Sequence, residues 1–148
     1  MRKHSPENSN SPRILLAEDD AISQKVASLL LTRSGCVVDI VNNGKEALQA
    51  WESGEYDAVL MDCQMPGMDG FNATRAIRHQ EEIEPVQKRT PIIALTAFRL
   101  HEYEERCRNV GMDAFLTKPL NFDQLLKTLA SFCGCQSLMT KSTSRRAS

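Results

Sequence analysis

Asp19, Asp20, Asp62, Thr96 and Lys118 are the side chains whose types, if brought together, could do chemistry. Singly, each has an ordinary role. A strand-end Asp commonly caps a helix, a Thr suits a strand, and a Lys is usually solvated. Together they pose an electrostatic problem. Two like charges about 4 Å apart repel by roughly 4 kcal/mol at an effective dielectric near 20. Three carboxylates sharing a crevice therefore need a proton or a cation between them. Carboxylate, water and phosphate oxygens are what Mg²⁺ prefers, and Mn²⁺ suits the same ligands. A cation there would neutralise the acids and orient an incoming phosphoryl group. Asp62 would then be the nucleophile, with Lys118 and the Thr96 hydroxyl stabilising phosphoryl oxygens.

The chain pattern says how such residues would meet. Arg13–Ala17 is a short apolar run that runs straight into Glu18-Asp19-Asp20. Helical spacing follows, with Ile22, Val26, Leu29, Leu30 and Arg33 predicted on one face and Gly35 ending the helix. Val37–Val41 predicts a second strand, residues 43–53 a second helix, and Ala58–Asp62 a third strand ending in a carboxylate. Breakers at Pro66-Gly67-Met68-Asp69-Gly70 precede a helix predicted over 71–80, with 81–89 read as polar loop. Ile92–Thr96 predicts a fourth strand, 100–109 a fourth helix and 114–116 a fifth strand. The last helix opens at Asn121, a good N-cap, and buries Leu125, Leu126 and Leu129. Strands alternating with helices imply a parallel sheet with helices on both faces. In such sheets the ligand crevice lies beyond the carboxyl ends of the strands. Asp19, Asp20, Asp62, Thr96 and Lys118 all follow or end strands, so one edge collects them.

Composition agrees with an ordinary α/β domain. The 148 residues are 41% hydrophobic and 25% charged, with a formal net charge of −1. That balance gives no overall basic field to draw the chain onto nucleic acid. No apolar run approaches membrane-spanning length, so a soluble cytoplasmic protein is expected. The five cysteines form no metal-ligand cluster and read mainly as small buried residues. Residues 1–11 and 134–148 are polar, without periodicity, and are expected as a disordered lead and a flexible tail around a domain at 12–133.

Four segments, ILLAEDD, MDCQMPGMDG, IIALTA and FLTKPL, resemble the receiver domains of response regulators, in the same order and at the same intervals. The wording is most similar to receivers of hybrid sensor histidine kinases. The resemblance implies a flavodoxin-like fold with strand order 2-1-3-4-5. It implies Asp62 as phosphoacceptor, with Mg²⁺ on Asp20, Asp62 and the Gln64 carbonyl, and on Asp19 through water. It implies a cis peptide bond at Lys118-Pro119 and an aromatic switch at Phe115 that answers movement of Thr96. Ala97 would leave the site open, while Gln64 and Phe98 would tune the phosphoryl lifetime. The implied donor is a histidine kinase or histidine phosphotransfer domain. The implied output is a protein partner met through the fourth helix, fifth strand and fifth helix. Two alternatives stand beside it. A phosphatase of the haloacid dehalogenase type needs an acid two residues after its nucleophile, where this chain has Gln64. A degenerate receiver acting only as a binding module would lack residues that this chain keeps.

Overall fold

The computed structural model describes residues 11–84, 88–97 and 101–133. The residues read from sequence as lead and tail fall almost wholly outside that set, and so does Phe98. Five parallel strands, β1 (Arg13–Ala17), β2 (Val37–Val41), β3 (Ala58–Asp62), β4 (Ile92–Thr96) and β5 (Ala114–Thr117), pair in the order β2-β1-β3-β4-β5. Five helices connect and follow them: α1 (Ala21–Arg33), α2 (Gly44–Ser53), α3 (Gly70–Ile83), α4 (His101–Val110) and α5 (Phe122–Cys133). This is the parallel α/β sheet with helices on both faces that the alternation implies, in the doubly wound, flavodoxin-like order that the resemblance implies.

Strand side chains alternate between two cores, as the two-residue period of a strand requires. Leu15, Ala17, Val59, Met61, Ile92 and Ala94 face one side, where Phe71 and Ile77 of α3 and Cys107 and Val110 of α4 cover them. Ile14, Leu16, Leu60, Ile93 and Leu95 face the other, under Leu31 of α1 and Leu125, Leu126 and Leu129 of α5. Every residue of β3 and β4 is buried, so these two central strands are apolar almost throughout. Burying one Leu or Ile contributes about 1.5–3 kcal/mol, which makes these strands the rigid base for anything at their ends.

Two features differ from the sequence pattern. In α1, Ile22, Val26 and Leu29 are exposed, at 75%, 47% and 52%, while Ala27 and Leu31 are buried. The helix is apolar on more than one side, so spacing alone left two faces to choose from. In α3 the helix runs past Gln80 to Ile83. Glu81 explains the extra turn, because it accepts from Arg78 Nη1 at 2.7 Å and from the Thr90 backbone N–H at 2.8 Å. Arg78 also donates to the Thr90 and Gly111 carbonyls, both at 2.9 Å, and to Asp113 at 2.8 Å. What reads as polar loop is thus a helix end tied to the far end of the sheet.

Asn43 and Asn121 cap α2 and α5, each accepting the N–H three residues on. Gly35, just past the Ser34 C-cap of α1, takes the positive φ of 93° that turns the chain into β2.

Candidate functional site

The carboxyl ends of β1, β3 and β4 and the turn after β5 open into one cleft of about 210 Å³. Glu18, Asp19, Asp20, Ser23, Asp62, Gln64, Thr96, Ala97 and Lys118 line it. The five sequence-derived side chains therefore do converge. Asp62 is the last residue of β3 and only 6% exposed. One of its oxygens accepts the Gln64 backbone N–H at 3.1 Å, and the other lies 3.2 Å from Lys118 Nζ. The loop beyond it is held close: Gly70 N–H bonds the Cys63 carbonyl at 3.3 Å. A Cβ at Gly70 would overlap the Asp62 carbonyl oxygen, so only glycine lets α3 start against the acid. Thr96 ends β4 with 1% exposure, and its carbonyl accepts the Lys118 backbone N–H at 2.8 Å. The Lys118-Pro119 peptide bond is cis.

Glu18 is the residue that sequence reasoning missed. Its backbone N–H bonds the Val41 carbonyl at 3.1 Å, which continues the β1–β2 ladder one step past Ala17. Its side chain is 1% exposed and meets Lys118 Nζ at 2.7 Å. Carboxylate oxygens of Glu18, Asp19 and Asp62 all lie within 4.8 Å of one another. Asp20, expected as a direct ligand, sits at the rim instead. Its Oδ2 accepts the Ser23 N–H at 2.8 Å and caps α1, and that bond holds its carboxyl below the usual range. The three carboxylates grouped together are thus Glu18, Asp19 and Asp62, with Asp20 lining the cleft while capping α1. The signal was in the sequence: an Asp immediately before a helix is spoken for as the cap.

The electrostatics are those of a cation site. Burial pushes the Glu18 carboxyl up; contact with Lys118 opposes this, while Asp62 adds to it. Burial alone would lower the Lys118 ammonium, but Glu18 and Asp62 outweigh it and hold its pKa above the ordinary value. Three carboxylates against one ammonium leave two negative charges in excess. A divalent ion with a preference for hard oxygen fits both that charge and that donor set.

Two further contacts surround the cleft. The Gln64 amide donates to the Tyr103 hydroxyl of α4 at 2.9 Å, so the residue expected to tune the phosphoryl lifetime is tied to a helix. The half-buried Phe115 ring packs against the core that contains Cys63, Cys107 and Met112.

Residues 14–130 match the response regulator receiver domain family, and the chain belongs to that family. It is 44% identical over 121 residues to hybrid signal transduction histidine kinase B of Dictyostelium discoideum, covering 77% of this chain and 6% of that protein. It is 38% identical over 146 residues to histidine kinase 5 of Arabidopsis thaliana, covering 83% of this chain and 16% of that one. The chain therefore spans a small fraction of these relatives. Among solved structures, it is similar to the receiver domain of a Pseudomonas aeruginosa sensor histidine kinase that has magnesium coordinated in its active-site cleft. That likeness has a TM-score of 0.76 and 40% identity over 84% of this chain and 98% of that one. It is also similar to the receiver domain of a Saccharomyces cerevisiae response regulator, crystallised with its histidine phosphotransfer protein. Here the TM-score is 0.81, at 27% identity over 86% and 92% of the two chains. The chain is a receiver domain of the two-component and phosphorelay class. No described helix is long and apolar enough to cross a membrane.

Proposed function

We propose that this receiver takes a phosphoryl group onto Asp62 from a phosphohistidine, on a histidine kinase or a histidine phosphotransfer domain. The observation that carries this is the setting of Asp62: a nearly buried carboxylate held between Lys118 and the Gln64 N–H, facing Glu18 and Asp19 across the cleft. In the transfer the P–N bond to the donor imidazole breaks as an Asp62 oxygen bonds phosphorus. Lys118 and the Thr96 hydroxyl neutralise the transferred oxygens. Asp19, Asp62 and the Gln64 carbonyl would hold Mg²⁺ or Mn²⁺, with Glu18 behind them; the bound ion supplies charge neutralisation and in-line orientation. Gln64 and Phe98 then set the lifetime of the acyl phosphate. Thr96 and Phe115 carry the change outward to the face made by α4, β5 and α5.

The domain acts in the cytoplasm as a signalling element that catalyses only its own phosphorylation and dephosphorylation. Gln64 gives no second acid for a haloacid-type phosphatase, and the intact cleft argues against a degenerate binding module.

The donor itself is best seated on α1. Ile22, Val26 and Leu29 form an exposed stripe at i, i+4 and i+7, starting two residues beyond Asp20 at the rim of the cleft. Incubating the chain with a phosphorylated histidine phosphotransfer domain tests the reading. Label should move to this chain and be absent in Asp62→Asn. Ile22→Glu should slow transfer from the protein donor at least about tenfold, about 1.4 kcal/mol at the barrier, while sparing phosphorylation by acetyl phosphate. Transfer to Asp62→Asn at the parent rate would refute the assignment.

A further inference from the structure

We propose that Cys63 and Cys107 are an oxidation site, and that their disulfide pins α4 to the phosphoacceptor strand. Cys63 follows Asp62 directly, and Cys107 lies in the middle of α4, forty-four positions along the chain. Both are buried, and their sulfurs lie 3.8 Å apart in the core between β3 and α4. A disulfide needs about 2.05 Å, so the sulfurs must close by roughly 1.8 Å. Closing it requires side-chain rotation at both cysteines and a shift of α4 toward β3.

Access is the question for buried thiols, and α4 answers it. Cys107 borders a small cavity of about 80 Å³ shared with Glu104, Arg108, Met112 and Phe115. Cys107 and Val110 are the buried residues that anchor α4, and a helix held by so few buried side chains can open locally. A peroxide is small enough to enter. The Cys107 sulfur attacks one peroxide oxygen, the O–O bond breaks, and water leaves, giving a sulfenic acid. The Cys63 sulfur then displaces that hydroxyl as a second water and the S–S bond forms. Two thiols lose two hydrogens and one peroxide is reduced to two waters. A cellular thiol reverses the reaction. The link ties the residue after the phosphoacceptor to the helix that also holds Gln64 through Tyr103, and so restrains the α4 face.

The test uses the full chain carrying Cys133→Ser and Cys135→Ser, exposed to hydrogen peroxide and weighed intact. The expected result is loss of two hydrogens, a peptide cross-link joining Cys63 to Cys107, reversal by dithiothreitol, and slower amide exchange in α4. The mapping needs no change at Cys63 or Cys107, so a folding defect does not enter. An unchanged mass, a gain of oxygen without a cross-link, or a link to Cys36 would overturn the proposal.

Discussion

Asp19→Asn and Asp20→Asn separate two jobs held by adjacent carboxylates. In the first, the carboxylate proposed to hold metal beside Glu18 and Asp62 is lost, and Mg²⁺ binding followed by calorimetry should weaken at least about tenfold, about 1.4 kcal/mol. In the second, Asn still caps α1, so both metal affinity and melting temperature should stay near the parent values. Asp20→Ala should bind metal normally yet melt lower, because the Ser23 N–H loses its acceptor. The opposite order of metal affinities would return the ligand role to Asp20. The triplet Glu18-Asp19-Asp20 offers two registers for an acid pair, and residue type does not choose between them. The choice is made by the ladder bond from Glu18 to Val41, a long-range contact invisible to local pattern. Asp62, Thr96 and Lys118 were legible because each stands alone at its strand end. Tyr103 was not, since its bond to Gln64 joins residues 39 apart on different elements. Tyr103→Phe removes that partner and should change the decay rate of the phosphorylated form, read by intact mass over time, without changing the site of phosphorylation.

At the scale of elements, the strands followed from pattern because β1, β3 and β4 are short, apolar and bounded by breakers or acids, while their order in the sheet came from the family resemblance. Helix faces and ends were harder. Ile22, Val26 and Leu29 have the spacing of a core stripe, yet Ala27 and Leu31 are what the sheet covers. Small Ala27 lets α1 lie close, a packing reason that hydrophobicity does not encode. Leu125→Ala, by contrast, removes a fully buried side chain from α5 and should cost about 2–5 kcal/mol in denaturant unfolding. A second element-level test lies at the opposite end of the strands from the cleft. Tyr56 donates to Asp39 on β2 at 2.7 Å, beside Arg13 of β1. Burial and the Asp39 carboxylate push the Tyr56 phenol up to about 12. A raised folded pKa means that stability is fully present below the unfolded value near 10. It is then lost as pH rises through about 12. Tyrosinate absorbance should therefore show a late-titrating component that disappears in Tyr56→Phe.

For the whole molecule, sheet and cleft are coupled by the excess of negative charge at the strand ends. Relieving that charge should stabilise the fold. Mg²⁺ at a hundredfold excess over its dissociation constant would add about 2.7 kcal/mol, seen as a higher melting temperature, of which a tenfold weaker Asp19→Asn would keep about half. Metal-dependent phosphorylation of Asp62 is read from the intact mass after incubation with acetyl phosphate. The chain should gain one phosphoryl group with Mg²⁺ present, none when the metal is chelated, and none in Asp62→Asn. No gain in the parent chain, or an equal gain in the variant, would contradict it.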